Sequence, residues 1–195
     1  MNLKKICVFC GSKSGNDPEY EVAAKELGKE IALNGIELIY GAGGTGIMGT
    51  IASSCKENGG HIVGMTISHL FEIERPDLMT NTIDEVHVYQ KMFARKFAMT
   101  SAAQAFCVLP GGIGTIDELV ELMVLKQLGL FDKPIVILNI NGFFDPCRNV
   151  IHHMIDQGFL RPEHLNLVTR VDNVKDVLPT IEEELKKTCE SKKNP

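Results

Sequence analysis

The stretch AFCVLPGGIGT, residues 105–115, joins a short apolar run to a glycine-rich turn. Two other stretches repeat this pattern: KICVFCGS at residues 5–12 and ELIYGAGGTG at residues 37–46. A longer amphipathic segment follows each turn, and this alternation of strand and helix is typical of a parallel sheet. Because parallel strands end at the same edge of an open sheet, all three turns are predicted to lie at the carboxyl edge, where such sheets bind ligands.

The same alternation runs along the whole chain and predicts a single α/β domain over residues 1–195, a Rossmann-like open parallel sheet of six to seven strands with helices on both faces. The predicted strands are residues 5–10, 37–40, 61–66, 85–89, 105–109 and 134–139, with a weaker one near 167–171. The predicted helices are residues 18–34, 46–58, 91–103, 115–128, 145–157 and 174–187. Residues 68–84 are interpreted as a long loop, and the charged tail from about residue 182 as a solvated helix end.

Composition excludes several classes of function. The formal charge of −5 argues against broad electrostatic binding of nucleic acid. Six cysteines and no recognisable secretory signal favour reduced thiols in a cytoplasmic protein, and the pair Cys7-x-x-Cys10 on an apolar strand fits buried thiols better than a metal or redox site. No apolar stretch approaches the roughly 18–20 residues that cross a bilayer, so membrane association is not expected.

The first glycine cluster resembles a dinucleotide-binding turn, since residues 41–46 match G-x-G-x-x-G. That fold places an acidic residue about 20 positions later to bind a ribose, whereas the next strand here ends in TISH at residues 66–69. The glycines also follow the second strand rather than the first. NAD-type oxidoreduction is therefore disfavoured, and a P-loop is excluded because no Gly-Lys-Ser/Thr follows either glycine cluster.

The helix predicted after the second glycine cluster, residues 111–114, carries an acidic residue at an unusual position. At about 100° per residue, Glu118 shares a row with Leu122 and Leu125. The stripe expected to face the core comprises Ile116, Leu119, Val120, Met123 and Val124. An acid among leucines, one turn from a glycine-rich turn, fits a partly desolvated carboxylate beside a bound phosphate. An acid that only stabilises the positive end of the helix dipole fits equally well.

A cation that could pair with this acid lies on the helix predicted for residues 91–103. There Arg95 falls between Met99 and Ala102, with Met92 on the same side, so its guanidinium emerges from a mostly apolar face. Either the side chain extends to solvent along that face, or it reaches over the carboxyl edge of the sheet and binds an oxyanion through its planar donors.

Four segments together resemble the LONELY GUY family of cytokinin-activating phosphoribohydrolases, whose bacterial members are often mislabelled lysine decarboxylases. These segments are PGGIGTIDE (110–118), MFARKFAM (92–99), YGAGGTGIMG (40–49) and CVFCGSKSG (7–15), and the resemblance covers about residues 5–180. It implies hydrolysis of the N-glycosidic bond of an adenine-type nucleoside 5′-monophosphate to free base and ribose 5-phosphate. It also implies a homodimer and no metal or cofactor.

The resemblance assigns roles to particular residues. Arg95 and Glu118 match the catalytic pair of the family. The residues matched to substrate binding are Gly11, Ser12, Gly43, Gly44, Met92, Lys96, Gly111, Gly112, Gly114, Thr115 and Asp117, with the phosphate expected on Gly111, Gly112, Gly114 and Thr115.

Several positions depart from the family pattern and leave the preferred base open. Around the Arg95-Lys96 pair, where the family often has His or Asp, the chain has Lys91, Phe93 and Ala94. The chain has Ala42 where a third glycine is common, Val124 where plant relatives have a substrate-contacting threonine, and at best Asp77 for a glutamate in the long loop. N6-modified adenine, plain adenine and another purine all stay possible as the base. The alternative function is a non-catalytic carrier of a nucleotide or pterin cofactor on the same fold.

Overall fold

The computed structural model describes residues 3–73 and 81–191 of the chain. Its strands are β1 (Lys5–Phe9), β2 (Glu37–Tyr40), β3 (Ile62–Ile67), β4 (Glu85–Tyr89), β5 (Ala105–Val108), β6 (Ile135–Leu138) and β7 (Thr169–Val171). They form one seven-stranded sheet in the order β4-β3-β2-β1-β5-β6-β7, with every neighbouring pair parallel. The predicted open parallel sheet is confirmed, including its weakest strand.

The helices are α1 (Glu19–Leu33), α2 (Gly46–Glu57), α3 (Ser68–Ile73), α4 (Met92–Ala102), α5 (Ile113–Gln127), α6 (Asp145–Asp156) and α7 (Val177–Ser191). Side chains from α1, α2 and α7 share one buried cluster with one face of the sheet, and side chains from α4 and α5 share a second cluster with the other face. The central strands β1 and β5 are buried from both sides, as the near-continuous apolar runs of the sequence require.

Two expectations from the sequence were wrong. Residues 68–84 are not loop throughout, because α3 follows directly on β3 over Ser68–Ile73. In α5, Val120 and Val124 do not face the core: they are exposed, while Leu119 and Leu122 are buried. Apolar residues occur nearly all round α5, so periodicity alone could not choose the side that packs on the sheet.

Candidate active site

A cavity of about 600 Å³ lies over the carboxyl edge of the sheet. Turns that follow β1, β2, β5 and β6 contribute to its wall, together with the first residues of α4 and α5. The predicted site residues that line it are Gly11, Ser12, Met92, Arg95, Gly111, Gly112, Gly114, Thr115, Asp117 and Glu118. The rule that ligands bind at the carboxyl edge therefore located the cavity from the sequence.

Arg95 is a buried cation, only 6% exposed, that points from α4 into this cavity. Its Nε donates to the backbone oxygen of Met65, 2.8 Å away at β3, and its Nη1 lies 3.3 Å from Oε1 of Glu118. A β-carbon on Gly41 would come within 2.6 Å of Nη2. The glycine at the end of β2 thus makes room for the guanidinium, which does not extend to solvent.

Glu118 sits one turn into α5 with its side chain 12% exposed. Its carboxylate contacts Arg95 in the cavity wall and lies near the thiols of Cys7 and Cys10. Burial, and after it the negative charge of Glu118, raise the pKa of both thiols, so they stay protonated at neutral pH. The sequence left open whether Glu118 only caps a helix, and the structure places it in a largely desolvated ion pair.

The second glycine cluster makes a close backbone contact between β1 and β5. Gly11 N donates to the Pro110 oxygen at 3.0 Å. A β-carbon on Gly111 would collide with Thr115 Oγ1 and lie 2.8 Å from Gly11 N. Gly112 and Gly114, by contrast, have open space where a side chain would project. The turn is therefore packed tightly on one side and open toward the cavity on the other.

This turn also supplies the N-terminus of α5. Its N-cap residue, Gly112, has no side chain to accept a backbone hydrogen bond, and no acidic residue occupies the first turn of the helix. The free N–H groups and the positive end of the helix dipole favour an anion at this point. We call residues 110–115 the anion cradle.

The first glycine cluster, after β2, contacts the loop after β1, which lines the cavity. Thr45 Oγ1 donates to the Ser12 oxygen at 3.0 Å, and Met48 N donates to the Gly11 oxygen at 3.1 Å. Gly43 and Gly44 do not line the cavity in the described part of the chain: Gly43 packs on Met48, and Gly44 borders a separate groove between α1 and α2. Most of this cluster therefore shapes the loop after β1.

Lys96 is not among the described residues that line the cavity. Its ammonium lies 2.9 Å from Asp117 and 2.7 Å from Glu121, and so joins α4 to α5. Burial alone would lower the pKa of Lys96, but the hydrogen bonds that its ammonium donates to Glu121 and Asp117 raise it on balance. The side chain next to Arg95 thus fixes the spacing of the two helices that carry Arg95 and Glu118.

Several residues of the cavity were missed in the sequence. Tyr20 from the start of α1, Leu70 from α3 and Phe143 after β6 all line it. Phe143 could have been found, because it follows a predicted strand at the edge where ligands bind. Tyr20 could not, since nothing in its local pattern distinguishes a cavity residue from a core residue.

Ala42 is buried with φ +64, a left-handed conformation that glycine adopts more readily, which explains why a glycine suits this position. Asp77 lies outside the described residues. Among residues 3–73 and 81–191, no group of three His, Cys, Asp or Glu is arranged to hold a metal ion, and no helix is long and apolar enough to cross a membrane.

Comparison with known proteins identifies relatives along nearly the whole chain. The family model described as "Possible lysine decarboxylase" matches residues 48–181. "Cytokinin riboside 5'-monophosphate phosphoribohydrolase LOG7" of Arabidopsis thaliana is 37% identical over 181 residues, which cover 93% of this chain and 82% of the relative. The rice protein "Probable cytokinin riboside 5'-monophosphate phosphoribohydrolase LOGL2" is 36% identical over 181 residues, 93% of this chain and 73% of the relative.

Solved structures share the fold at lower identity. A molybdenum cofactor carrier protein from Chlamydomonas reinhardtii has a TM-score of 0.67 and 23% identity, covering 94% of this chain and 98% of its own. The molybdenum cofactor binding protein of Rippkaea orientalis has a TM-score of 0.71 and 18% identity, covering 95% and 99%. At this identity the likeness shows the fold alone. From the family model and the plant relatives together, it follows that this chain belongs to the LONELY GUY family, whose matching model is described as "Possible lysine decarboxylase".

Proposed function

We propose that the protein hydrolyses the N-glycosidic bond of adenine-type nucleoside 5′-monophosphates and releases the free base and ribose 5-phosphate. The observation that carries the proposal is the desolvated ion pair of Arg95 with Glu118 beside the anion cradle. The plant relatives are named as phosphoribohydrolases of cytokinin riboside 5′-monophosphates, which agrees with a carboxylate and a phosphate site in one cavity.

The anion cradle sets the orientation of the nucleotide. A 5′-phosphate at the N-terminus of α5 would be bound by backbone N–H groups around Gly112 and Gly114, where the structure leaves open space. The ribose then extends toward Arg95 and Glu118, which lie on the β2–β3 side of the cradle. Binding the phosphate away from the breaking bond positions C1′ beside the carboxylate.

Glu118 acts on the bond itself. As the base departs, positive charge builds on the ribose ring, and a carboxylate held near C1′ stabilises that charge. The same carboxylate orients a water molecule and accepts its proton, so that hydroxide adds to C1′ while the base leaves with the bonding electrons and is protonated. Because the cavity wall shields Glu118 from solvent, its interaction with the developing charge is stronger than it would be in water.

Arg95 holds the carboxylate in position for this step. Its Nε is fixed on the Met65 oxygen, which leaves Nη1 to approach Glu118 and Nη2 to face Gly41. A guanidinium has several donors in one plane and can therefore bind the backbone of β3 and the carboxylate of α5 together. Arg95 and Glu118 are the proposed catalytic residues.

Hydrolysis of two nucleotides tests the function. Pure protein is incubated with AMP and with N6-isopentenyladenosine 5′-monophosphate, and the free base is followed by chromatography. Release of either base is expected, with turnover at least about 100-fold lower in Glu118→Gln, the usual order for a positioned acid–base group. The matched control is Glu163→Gln, an exposed glutamate paired with Arg161. If wild type releases neither base, the alternative of a nucleotide carrier is favoured.

We also propose that the protein is a homodimer. Large apolar side chains spaced four residues apart are exposed on α4 and on α5 with its C-cap residue: Phe93 and Phe97 on the first, and Val120, Val124 and Leu128 on the second. Phe97 is 73% exposed, which is unusual for a side chain of its size. A second copy of the chain would cover this surface. A dimer in sedimentation velocity that Phe97→Lys converts to a monomer, while Phe159→Lys leaves it intact, is the expected result.

A cytoplasmic location completes the proposal. Cys7, Cys10, Cys55, Cys107 and Cys147 are free thiols in the structure, and the first four are buried. Such cysteines are typical of a reducing compartment. Fractionation of cells that express the full chain should recover it with the cytosol.

A further inference from the structure

The lining of the cavity runs along the carboxyl edge from Arg95 on α4 to Phe143 after β6. At one end of the carboxyl edge, Arg95 contacts β3 and faces the end of β2. The anion cradle lies next along the edge and joins β1 to β5. Phe143 lies beyond it, after β6. At about 4.8 Å between neighbouring strands, β2 and β6 are roughly 14 Å apart. The cradle therefore divides the cavity into a catalytic side, over β2 and β3, and a second side toward β6.

Two aromatic rings form the wall of this second side. The Tyr20 and Phe143 rings meet edge to face, with centroids 5.6 Å apart at 78°, and both are half-buried and line the cavity. Gly15 lets the Tyr20 ring lie against the backbone, because a β-carbon there would be 2.8 Å from Cδ2 of the ring. We call Gly15, Tyr20 and Phe143 the aromatic lobe.

The rings of the aromatic lobe are held in place by polar contacts. Asn139 is buried, and its Oδ1 accepts a hydrogen bond from Phe144 N at 2.7 Å. Asn141 Nδ2 donates to Oδ2 of Asp17 at 2.8 Å, and so ties the turn after β6 to the segment before α1. Phe143 also packs edge to face on Phe144. A ligand would therefore meet rings that are already ordered, which lowers the entropic cost of binding.

Charged groups of both signs lie near the aromatic lobe, since Lys13 lines the cavity and Asp17 precedes α1. Hydrogen bonds from Asn141, and after it from the Glu19 backbone, lower the pKa of Asp17, so it is ionised at neutral pH. The Ser14 hydroxyl donates to Glu21 and is not directed at an anion. The apolar faces of the two half-buried rings suit a planar, uncharged group, and Lys13 is placed to compensate a linking phosphate.

We propose that the aromatic lobe binds a second planar ring, carried on the far side of the phosphate, so that the cavity accepts dinucleotides joined through their 5′-phosphates. One nucleoside lies against Arg95 and Glu118, the linking phosphates lie on the cradle, and the second base stacks on Phe143 or Tyr20. The inference rests on the proposed function for the position of the phosphate, but not for cleavage of the bond.

Titration calorimetry with full-length Glu118→Gln protein tests the lobe without turnover of the ligand. The probes are ADP and P1,P2-di(adenosine-5′) diphosphate, which has the same two phosphates and a second nucleoside. Stacking of one base on an aromatic side chain predicts affinity for the dinucleotide about tenfold above that for ADP. Phe143→Leu, which keeps apolar volume but removes the ring, should bring this ratio close to one, and so should Tyr20→Ala. The control Phe159→Ala, an exposed aromatic outside the cavity lining, should preserve it.

Equal affinities for ADP and the dinucleotide overturn the inference, as does a ratio that neither Phe143→Leu nor Tyr20→Ala changes. Base release from AMP by wild type is measured separately and tests the proposed function. Release from AMP without a preference for the dinucleotide rejects the aromatic lobe alone. A preference for the dinucleotide without release from AMP rejects hydrolysis and retains the lobe, and failure of all nucleotides to bind rejects both.

Discussion

Nη1 of Arg95 on α4 lies 3.3 Å from Oε1 of Glu118 on α5, and the two residues are 23 positions apart in the chain. Three contacts determine this distance. The Met65 oxygen on β3 accepts a hydrogen bond from Nε of Arg95. Gly41 has no side chain and leaves room for the guanidinium, and Lys96 forms ion pairs that join the two helices. The geometry of the proposed catalytic pair is therefore a property of packing between α4 and α5 and not of either motif alone.

Replacing Arg95 with lysine should abolish most of the activity although the charge is kept. A single ammonium cannot bind the Met65 oxygen and approach Glu118 with donors fixed in one plane, as the guanidinium does. We expect turnover of AMP to fall by about 100-fold in Arg95→Lys, because a displacement of reacting groups by about 1 Å can lower the rate by that factor. The rate of adenine release at saturating AMP measures this turnover. Activity close to wild type would show that charge alone is required.

Gly41→Ala should impair catalysis by displacing the arginine. The new methyl group would lie 2.6 Å from Nη2 of Arg95 and 3.1 Å from Sδ of Met48, so the guanidinium must shift from the position in which Nη1 meets Glu118. Turnover is expected to drop at least about tenfold while the far-ultraviolet circular dichroism spectrum is retained. The matched control in the same turn is Ala42→Gly, which relieves a φ of +64 and leaves Arg95 in place. Equal loss in both variants would mean that the turn itself, and not Arg95, is affected.

The sequence predicted the strands well because β1, β5 and β6 are fully buried parallel strands, whose apolar runs between glycine turns have few other interpretations. It also predicted that Arg95 and Glu118 could meet at the carboxyl edge. It failed where the outcome depends on how separate elements pack against each other. Examples are the buried side of α5, the position of Lys96 outside the cavity, and the aromatic lobe, whose rings come from the start of α1 and from the turn after β6. Those outcomes are tertiary, and no local pattern encodes them.

Lys96→Met distinguishes a positioning role from a substrate contact. The methionine keeps the stem of the side chain but removes the ion pairs with Asp117 and Glu121. Lys96 is 15% exposed, but Asp117 and Glu121 are 57% and 36% exposed, so we expect a loss of no more than about 1 kcal/mol of stability. The helices that carry Arg95 and Glu118 would then separate slightly, which lowers kcat with little change in KM. A large rise in KM at unchanged stability would instead indicate contact with the substrate.

Asp84 should make the stability of the protein depend on acid pH. Its Oδ2 accepts from Ile62 N at 2.9 Å at the start of β3, and its Oδ1 lies 2.5 Å from Nζ of Lys56 at the end of α2. Burial raises the pKa of Asp84, but the hydrogen bonds from Lys56 and Ile62 outweigh it and hold the pKa below its ordinary value. The unfolded chain therefore takes up the proton first as the pH falls, so the stabilisation is complete above about pH 4 and is lost as the pH falls through the folded-state value.

Asp84→Asn should accordingly be less stable than wild type at pH 7, by about 1 kcal/mol for a partly exposed pair with one backbone hydrogen bond. The difference should shrink steadily as the pH falls below about 4 and through the lowered pKa of Asp84 in the folded protein, because the wild-type carboxylate then becomes protonated and neutral. Urea unfolding at a series of pH values measures both quantities, with Asp132→Asn as a control at an exposed aspartate. A stability difference that stays constant down to the lowest pH would show that the shape of the side chain at position 84, and not its charge, joins α2 to β3.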